Sequence, residues 1–453
     1  MRKFYISILV ASSMLLNSSL LVSCAGGHHP KDKDERKEPA LKDQEKPTQD
    51  VQGELTIRFK FFLERSGSMI AYDNVKTKGE FKAAIADLLN SVPTSDQDVN
   101  MLYIVNNGVY PYKATYKQFA MCKDIFKETK NLGDPRYTDF TCIFDSLMSR
   151  TGKNEISILV SDLIYSTSEM SKVRVEKILE EARYLTTTVF KGRNNMDVLL
   201  IKMSADYNGA YYVYNKPSIG QNYDGRRPYY FVIVANHKVM ERIFKEDQYA
   251  DFRNFHKLKG YENYYLFESI NAGNPHYSLL PADSHNKNTQ FQITKGQGHD
   301  IHAIEKVKAN HNGDVYLTVA VDLGLVFTSE EQKCDPETYT LKSKSDYEID
   351  EIVPITKEMR KGTFDRYAKS ATHLMVLHTT ESELKRVDNI TIAMPNVLPE
   401  WIHESSSDND TNLKTKKFAS TTFALEYLCK GIYDAYYSSV DEPKYFELLI
   451  NTK

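Results

Sequence analysis

Residues 55–73 read LTIRFKFFLERSGSMIAYD, a stretch that joins a strand pattern to a polar turn. Every second position from 55 to 63 is apolar, which is the period of a β-strand with one face in a core. The alternation is lost near the end of the run, so we expect the second half of the strand to lie deeper than the first. Glu64, Ser66 and Ser68 follow directly, which predicts a carboxylate and two hydroxyls at the carboxyl end of the strand.

Strands and helices alternate along the chain after this first strand. Apolar periodicity predicts further strands at 98–105, 156–162, 197–203 and 228–235. It predicts helices at 79–92, 138–149, 168–186 and 236–246, and a hairpin-like insertion at 206–214. The strand ISILVSD (156–162) is almost continuously apolar, as expected for a central parallel strand covered on both faces. This order predicts an α/β fold with a doubly wound, mostly parallel sheet.

The pattern changes beyond about residue 270. GDVYLTVAVDL (313–323) alternates strictly, and HLMVLHTT (373–380) and NITIAMP (389–395) are further strand candidates between polar loops. These strands predict a β-rich, sandwich-like domain with one wet sheet face. We therefore expect two domains, at 54–268 and 269–453.

Two further features are predicted near the C-terminus. TTFALEYLCKGIYDAYY (421–437) has helical spacing of its apolar residues, although Gly431 weakens the helix. SSSDNDTN (405–412) has the composition of a mobile loop.

The N-terminus, residues 1–24, has the pattern of an export signal. Arg2 and Lys3 precede an apolar stretch at 4–22, and LVSC ends that stretch at Cys24. This resembles a bacterial lipoprotein signal, which implies cleavage before Cys24 and acylation of the cysteine, including with palmitate. A transmembrane anchor is the alternative, but several serines dilute the apolar stretch.

Residues 25–53 are charged, contain prolines and hold no Phe, Trp or Tyr. Such a segment cannot bury enough apolar surface to fold, so we expect a disordered tether. Its charged run resembles sorting signals that send some Gram-negative lipoproteins to the cell surface. We expect the protein in the cell envelope, at the outer membrane. The sequence is compatible with either the periplasmic or the surface face of that membrane.

Charge and cysteine content narrow the functional class. The 453 residues carry 58 basic against 61 acidic side chains, a formal net charge of −3, which argues against a nucleic-acid partner. Beyond the signal, none of the cysteines has a close metal-type spacing. Disulfides and buried free thiols remain open for these four: Cys122, Cys142, Cys334 and Cys429.

Other oxygen donors are expected near Ser66 and Ser68. Ligands bind open α/β sheets at the carboxyl ends of the strands, near a switch in strand order. Thr138 precedes a predicted helix, and Asp162 ends the apolar strand ISILVSD. Together with Glu64 these residues form a set of hard oxygens, the ligand type that Mg²⁺ and Ca²⁺ prefer.

This set resembles the von Willebrand factor A (vWA) domain and its metal-ion-dependent adhesion site. The family motif Asp-x-Ser-x-Ser corresponds here to ERSGS (64–68), its threonine to Thr138 in YTDFTCIFDSL, and its aspartate to Asp162 in ILVSDLIYS. The likeness covers residues 54–268, including the order of strands and helices.

The resemblance implies that Ser66, Ser68 and Thr138 bind a divalent cation directly, while Asp162 and Glu64 hold its waters. An open coordination position would then accept a carboxylate from a partner protein. The implied function is protein or matrix adhesion at the cell envelope, without catalysis.

The sequence departs from the family pattern at two positions. Glu64 replaces an aspartate, and its extra methylene would carry the carboxylate into the space of a bridging water or of the ion. Leu163 replaces the usual glycine after Asp162 and crowds that turn. A further possibility is that Arg65 pairs with Glu64 and substitutes for the cation.

Two other functions are compatible with the sequence. One is a metal-dependent hydrolase that uses the same oxygen cluster or His299, Asp300 and His302 in GQGHDIH (296–302), although no nucleophile and base pair is visible. The other is a structural subunit of an envelope complex with an inactive metal site.

Overall fold

A computed structural model gives the fold. It describes these residues: 56–93, 101–136, 140–167, 170–193, 195–270, 273–281, 284–324, 326–360, 366–367 and 369–453. The signal, Cys24, the tether and Thr138 lie outside the described residues. Within them, no helix is long and apolar enough to cross a membrane.

The first part of the described chain alternates strands with helices. Its strands are β1 (Arg58–Glu64), β2 (Met101–Val105), β3 (Val109–Tyr112), β4 (Glu155–Ser161), β5 (Met196–Tyr211), β6 (Gln221–Asn236) and β7 (Tyr261–Phe267). Its helices are α1 (Glu80–Ser91), α2 (Tyr116–Met121), α3 (Ile125–Glu128), α4 (Phe140–Arg150), α5 (Val175–Phe190), α6 (His237–Lys245) and α7 (Ala250–Arg253).

The later part is richer in strands. These are β8 (Tyr277–Leu279), β9 (Gln290–Ile293), β10 (Ala303–Lys308), β11 (Asp314–Val321), β12 (Thr340–Lys342), β13 (Glu348–Pro354), β14 (His373–Thr380), β15 (Asp388–Pro395), β16 (Ser406–Ser407), β17 (Thr422–Phe423) and β18 (Lys444–Thr452). Its helices are α8 (Glu330–Cys334), α9 (Glu400–Glu404) and α10 (Leu425–Tyr437).

Strands β1 to β7 form one sheet in the order β3-β2-β1-β4-β6-β5-β7. β1 lies between β2 and β4 and runs parallel to both. The remaining ladders of this sheet are antiparallel. The predicted α/β fold is confirmed, but the sheet is mixed, and parallel pairing is confined to β1, β2 and β4.

The antiparallel half arises from one long hairpin. β5 and β6 pair over their full lengths, from Met196 with Asn236 to Tyr211 with Gln221. The connection at 212–220 is too short for a parallel crossover, which needs a dozen or more residues. β6 therefore returns antiparallel and inserts between β4 and β5.

The central strands are buried as their sequences predict. Every residue of β4 is buried, and β1 is buried from Phe59 onward. The charge of Lys60 is compensated inside, since its amine lies 2.5 Å from the carboxylate of Glu155. Because β1 and β4 are fixed in this way, the turns at their carboxyl ends are held in place.

The later strands form two sheets that share an apolar core. The four-stranded sheet has the order β13-β14-β11-β8, and the five-stranded sheet has the order β12-β15-β18-β10-β9. Leu317 and Leu377 from the first sheet and Ile392 and Leu448 from the second belong to the same buried cluster.

The chain then contributes to the first core again. Ile402, Phe418, Phe423 and the apolar face of α10 are buried in the cluster that contains β1 and β4. Residues 55–453 consequently form one compact unit. The late helix, expected as part of the 269–453 segment, packs on the first sheet's core.

The segment 405–412, expected as a mobile loop, is anchored. Ser406 and Ser407 pair with Thr422 and Phe423. Asp410 is 3% exposed and accepts hydrogen bonds from two residues of the β5 region. Its polar composition reflects buried hydrogen bonding rather than freedom in solvent.

Candidate functional site

The candidate site is a pocket of about 330 Å³ at the carboxyl ends of the parallel strands. Its walls come from the turn after β1, the loop before α4, the segment after β4 and the β5–β6 connection. The lining residues are Glu64, Ser66, Gly67, Ser68, Ile70, Pro135, Arg136, Ile164, Ser166, Tyr212, Pro217 and Ser218. The position is the one expected of an open α/β sheet, because β1 is flanked by parallel neighbours on both sides.

Glu64 is the last residue of β1 and is 1% exposed. The hydroxyl of Ser161, the last residue of β4, donates a hydrogen bond to its carboxylate. The same hydroxyl accepts a hydrogen bond of 2.8 Å from the backbone amide of Leu163. Glu64 is therefore held by the neighbouring strand while it also lines the pocket.

Ser66 and Ser68 face each other across the turn. Their Oγ atoms lie 3.1 Å apart, and the Met69 amide donates a hydrogen bond of 3.4 Å to the Oγ of Ser66. Both side chains are largely buried, yet both line the pocket. A short 3₁₀ helix, Met69–Asp73, follows the turn. The two hydroxyls thus present a compact pair of oxygen donors.

Asp162 lies behind these hydroxyls and is 1% exposed. Its Oδ1 accepts a hydrogen bond of 3.3 Å from the Ile164 amide. Among the described residues, its Oδ2 has no hydrogen-bond partner. Burial raises the pKa of Asp162, while the Ser68 hydroxyl and the Ile164 amide act in the opposite direction. A buried carboxyl oxygen without a partner is costly unless a ligand or ion satisfies it.

The turn after Asp162 keeps a backbone conformation that glycine adopts freely. Leu163 has φ of 52°, in the left-handed region, and its side chain is buried. A leucine there costs on the order of 1–2 kcal/mol relative to right-handed backbone. Leu163 therefore has the left-handed backbone conformation although it is not a glycine.

Arg65 does not supply a cation to Glu64. Its Nε donates a hydrogen bond of 3.4 Å to the carbonyl oxygen of Phe126, and its Nη1 has no hydrogen-bond partner among the described residues. Burial lowers the pKa of the Arg65 guanidinium. Within the described chain, the structure therefore does not contain the Arg65–Glu64 ion pair considered from the sequence.

Thr138 lies outside the described residues, but the loop that leads toward it reaches the site. The Gly67 amide donates a hydrogen bond of 3.2 Å to the carbonyl of Pro135. Pro135 and Arg136 both line the pocket. Pro135 and Arg136 thus lie directly against the Ser66–Ser68 turn.

Sequence reasoning missed the wall formed by the β5–β6 connection. A Cβ atom on Gly67 would lie 2.7 Å from Cε2 of Tyr212, so only glycine lets the tyrosine ring lie against the turn. Pro217 and Ser218 complete this wall. No local motif marks these residues, because their position depends on the length and direction of the hairpin.

A buried cation, Arg227 on β6, was also missed. It is 1% exposed, and its guanidinium carbon lies 4.1 Å from the ring centre of Phe418 and 4.8 Å from that of Tyr211. Nη1 donates to the Phe418 carbonyl, while Nε and Nη2 have no partner among the described residues. Its charge lowers the pKa of Asp162 against the effect of burial.

The three residues of GQGHDIH do not converge. His302 Nε2 lies 2.8 Å from the carbonyl oxygen of Tyr277, and its ring stacks on that tyrosine. Asp300 lies 2.9 Å from Nε2 of His276 instead. His299 is exposed. The stretch does not assemble a metal site from His299, Asp300 and His302.

A second cavity of about 430 Å³ lies beside Glu268, with Tyr436, Tyr437 and Phe446 in its wall. Burial raises the pKa of Glu268 well above its ordinary value. Its Oε1 is itself shielded and has no partner among the described residues. The cavity therefore holds a buried acid rather than a convergent set of oxygen donors.

None of the four cysteines in the described part of the chain forms a disulfide. Burial raises the pKa of the Cys429 thiol, which lies in the first core. Cys122 and Cys334 are half-buried, and Cys142 is exposed. Of the two states that the sequence left open for these four described cysteines, the structure therefore contains the one without disulfides.

Comparison with protein-family models, with curated proteins and with solved structures gave no match for this chain.

Proposed function

We propose that this chain is a lipid-anchored cell-envelope protein that binds a protein or matrix partner through a vWA-like, cation-dependent site. One observation supports this more than any other. The pocket at the carboxyl ends of β1 and β4 is lined by Ser66 and Ser68, and behind them lies the carboxyl of Asp162, whose buried Oδ2 has no hydrogen-bond partner among the described residues.

The donors that line this pocket suit a hard cation. Hydroxyl and carboxylate oxygens are the ligands that Mg²⁺ and Ca²⁺ take, and Mg²⁺ keeps several waters when few protein oxygens are offered. Ser66 and Ser68 would hold the ion, while Oδ2 of Asp162, which has no hydrogen-bond partner in the described part of the chain, would accept a hydrogen bond from a bound water. The bound cation would favour the ionised form of Asp162 and offset the cost of its burial.

Glu64 fits a supporting role in this arrangement. Its carboxylate already accepts the Ser161 hydroxyl, so its longer side chain is directed partly toward β4. In the proposed arrangement, the ion and its waters would lie in the pocket beside the serines. The vWA-like reading therefore tolerates Glu64 in place of the family's aspartate.

The rim of the pocket suggests the form of the partner. Ile70 is 41% exposed and lines the pocket beside the serines, and Tyr212 forms the facing wall. A partner that offers a carboxylate to the cation and an apolar group to this rim would bury both kinds of contact. An acidic side chain next to an apolar residue meets this requirement.

The N-terminal segment would supply the anchor. Acylation at Cys24 would hold the chain to the membrane, and residues 25–53 would act as the tether. A flexible segment of this length has a root-mean-square span of about 30 Å. The site could then reach a partner beyond the layer of lipid headgroups.

The test is cation-dependent capture of a partner. The full-length chain is immobilised and exposed to envelope and matrix proteins in Mg²⁺ or in chelator. We expect capture that is lost in chelator, lost with Asp162→Asn, and reduced by a soluble acidic peptide. Asp408→Asn, at an exposed position of the same residue type, is the matched control. Capture that is indifferent to chelator and to Asp162→Asn would instead support a structural subunit.

A further inference from the structure

A second cluster of ligating side chains lies outside this pocket, at Glu330, Cys334 and His373. Glu330 and Cys334 are one turn apart on α8, and His373 begins β14. One ligand atom from each residue lies within 4.8 Å of the other two. Within the described ranges, no other group of three or more His, Cys, Asp or Glu side chains meets this distance.

We propose that these three side chains bind a divalent transition metal of the zinc class, with a fourth position open to water. A thiolate, an imidazole and a carboxylate form a ligand set that Zn²⁺ accepts, whereas Mg²⁺ and Ca²⁺ prefer oxygen alone. Cys334 binds as the thiolate, and its proton passes to solvent. This site differs in chemistry from the oxygen-lined pocket at Ser66.

The imidazole is oriented by a neighbour, as is common for metal-binding histidines. The side chain of His373 is 4% exposed, and its Nδ1 lies 2.8 Å from Oγ1 of Thr372. That oxygen also accepts a hydrogen bond of 2.9 Å from the Leu323 amide, which fixes the threonine. Without a metal, Nε2 donates a hydrogen bond to Glu330. A bound metal would take the place of that proton, and Nδ1–H would then donate to Thr372 while the lone pair of Nε2 binds the ion.

The distance between His373 and Glu330 can increase to the value that a bound metal requires. His373 Nε2 and Glu330 Oε1 lie 2.5 Å apart. Tetrahedral Zn²⁺ sets its ligand atoms roughly 3.3–3.8 Å apart, given bonds of about 2.0–2.3 Å. The Glu330 side chain is 61% exposed, so it can withdraw without disturbing the core. His373 and its support need not move.

The surrounding charges permit a dication. The Lys333 amine lies 4.0 Å from Glu330 Oε2. The negative charge of Asp322 acts on both Lys333 and His373. Two carboxylates and a thiolate therefore outweigh the one neighbouring cation.

The test uses Co²⁺ as the probe, because a cobalt–thiolate bond gives a charge-transfer band and tetrahedral cobalt gives intense visible bands. Titrated into the full-length chain, Co²⁺ is expected to give both, and Zn²⁺ is expected to displace it. Cys334→Ser should abolish the charge-transfer band. Cys122→Ser, at another half-buried free thiol, should retain it.

A second variant tests the orientation of the imidazole. Thr372→Val keeps the shape of the side chain but removes the oxygen, and we expect about 10- to 100-fold weaker Co²⁺ binding. The Ser66→Ala variant should leave the cobalt spectrum unchanged, which separates this site from the proposed adhesion site. The inference is overturned if the folded chain gives no thiolate band, or if Cys334→Ser retains it.

Discussion

Asp162 is a buried carboxyl whose cost to stability the proposed cation would offset. Its pKa is raised by burial, and Oδ2 has no partner among the described residues. A carboxyl with a raised folded pKa contributes stability at low pH and loses it as the pH rises through that pKa. At neutral pH without a cation, Asp162 should therefore weaken the fold that it serves.

Asp162→Asn is predicted to raise the Tm of the metal-free chain at neutral pH. The amide keeps an acceptor for Ile164, can donate toward Ser68 and carries no charge to bury. Binding of Mg²⁺ should fall at least tenfold, since the buried carboxylate is lost. Thermal unfolding with and without Mg²⁺ measures both effects. A lower Tm together with unchanged Mg²⁺ stabilisation would contradict this account of Asp162.

Asp410 gives a pH dependence of stability. It accepts hydrogen bonds from the Tyr211 hydroxyl at 2.9 Å and from the Tyr214 amide at 3.1 Å, and burial raises its pKa to about 6. The stability that it contributes should therefore fall as the pH rises from about 4 to about 6, by roughly 3 kcal/mol.

Denaturant unfolding across this pH range measures the effect of Asp410. Asp410→Asn should flatten the decline, because the amide has no charge to gain. Other titrating groups contribute equally to both chains, so the difference between the two curves isolates Asp410. Parallel curves for wild type and variant would refute the assignment.

At the scale of elements, α10 depends on a close approach to α5. A Cβ atom on Gly431 would lie 2.6 Å from the Arg183 carbonyl oxygen and 2.6 Å from Cβ of Thr186. Arg183 also pairs with Asp434 of α10 at 2.6 Å. The glycine that weakens the helix in isolation is therefore what lets it pack against its neighbour.

Gly431→Ala is predicted to destabilise the fold by about 1–3 kcal/mol, because α5 or α10 must shift. This opposes the gain of about 1 kcal/mol that alanine brings to an isolated helix. Urea midpoints measure the difference. Gly298→Ala is the control, since a Cβ there would meet open space, and it should change stability little. An increased midpoint for Gly431→Ala would contradict the proposed packing.

The elements show why sequence reasoning succeeded in part. The strands predicted at 55–63 and 156–162 correspond to β1 and β4. They were predictable because a run of apolar residues indicates a buried strand. A hairpin-like insertion was predicted at 206–214, but the antiparallel pairing of the whole of β5 with β6 was not, because the apolar segments at 197–203 and 228–235 give a period without a direction. The Tyr212 wall of the site depends on that hairpin, so it was missed as well.

At the scale of the whole molecule, residues 55–453 form one compact unit. The first core is completed by Phe423, Leu425 and Leu428, which lie in the chain between β15 and β18 of the later sheets. Sequence periodicity does not reveal that the late helix packs on the first core. The pattern of a helix shows which of its faces is apolar, but it does not show which core that face packs against. The sequence-based division at residue 268 leaves these residues on the far side of the boundary.

The fragment 54–268 is accordingly predicted to fold poorly on its own. Removal of the later segment exposes the face that α10 covers and leaves Arg227 without the Phe418 carbonyl that accepts its hydrogen bond. We expect dye binding to exposed apolar surface and loss of near-ultraviolet circular dichroism, compared with the chain from residue 54 to 453. A fragment with native-like signals and sharp unfolding would show that the first part is an independent domain.

The most direct test of the central claim is calorimetric titration of Mg²⁺, Ca²⁺ and Mn²⁺ into the full-length chain. We expect saturable binding by wild type, loss of that binding with Ser66→Ala, and retention with Ser218→Ala, which alters another pocket residue that is not expected to bind the ion. No binding by the folded chain, or equal binding by the Ser66→Ala variant, would contradict the proposed cation site.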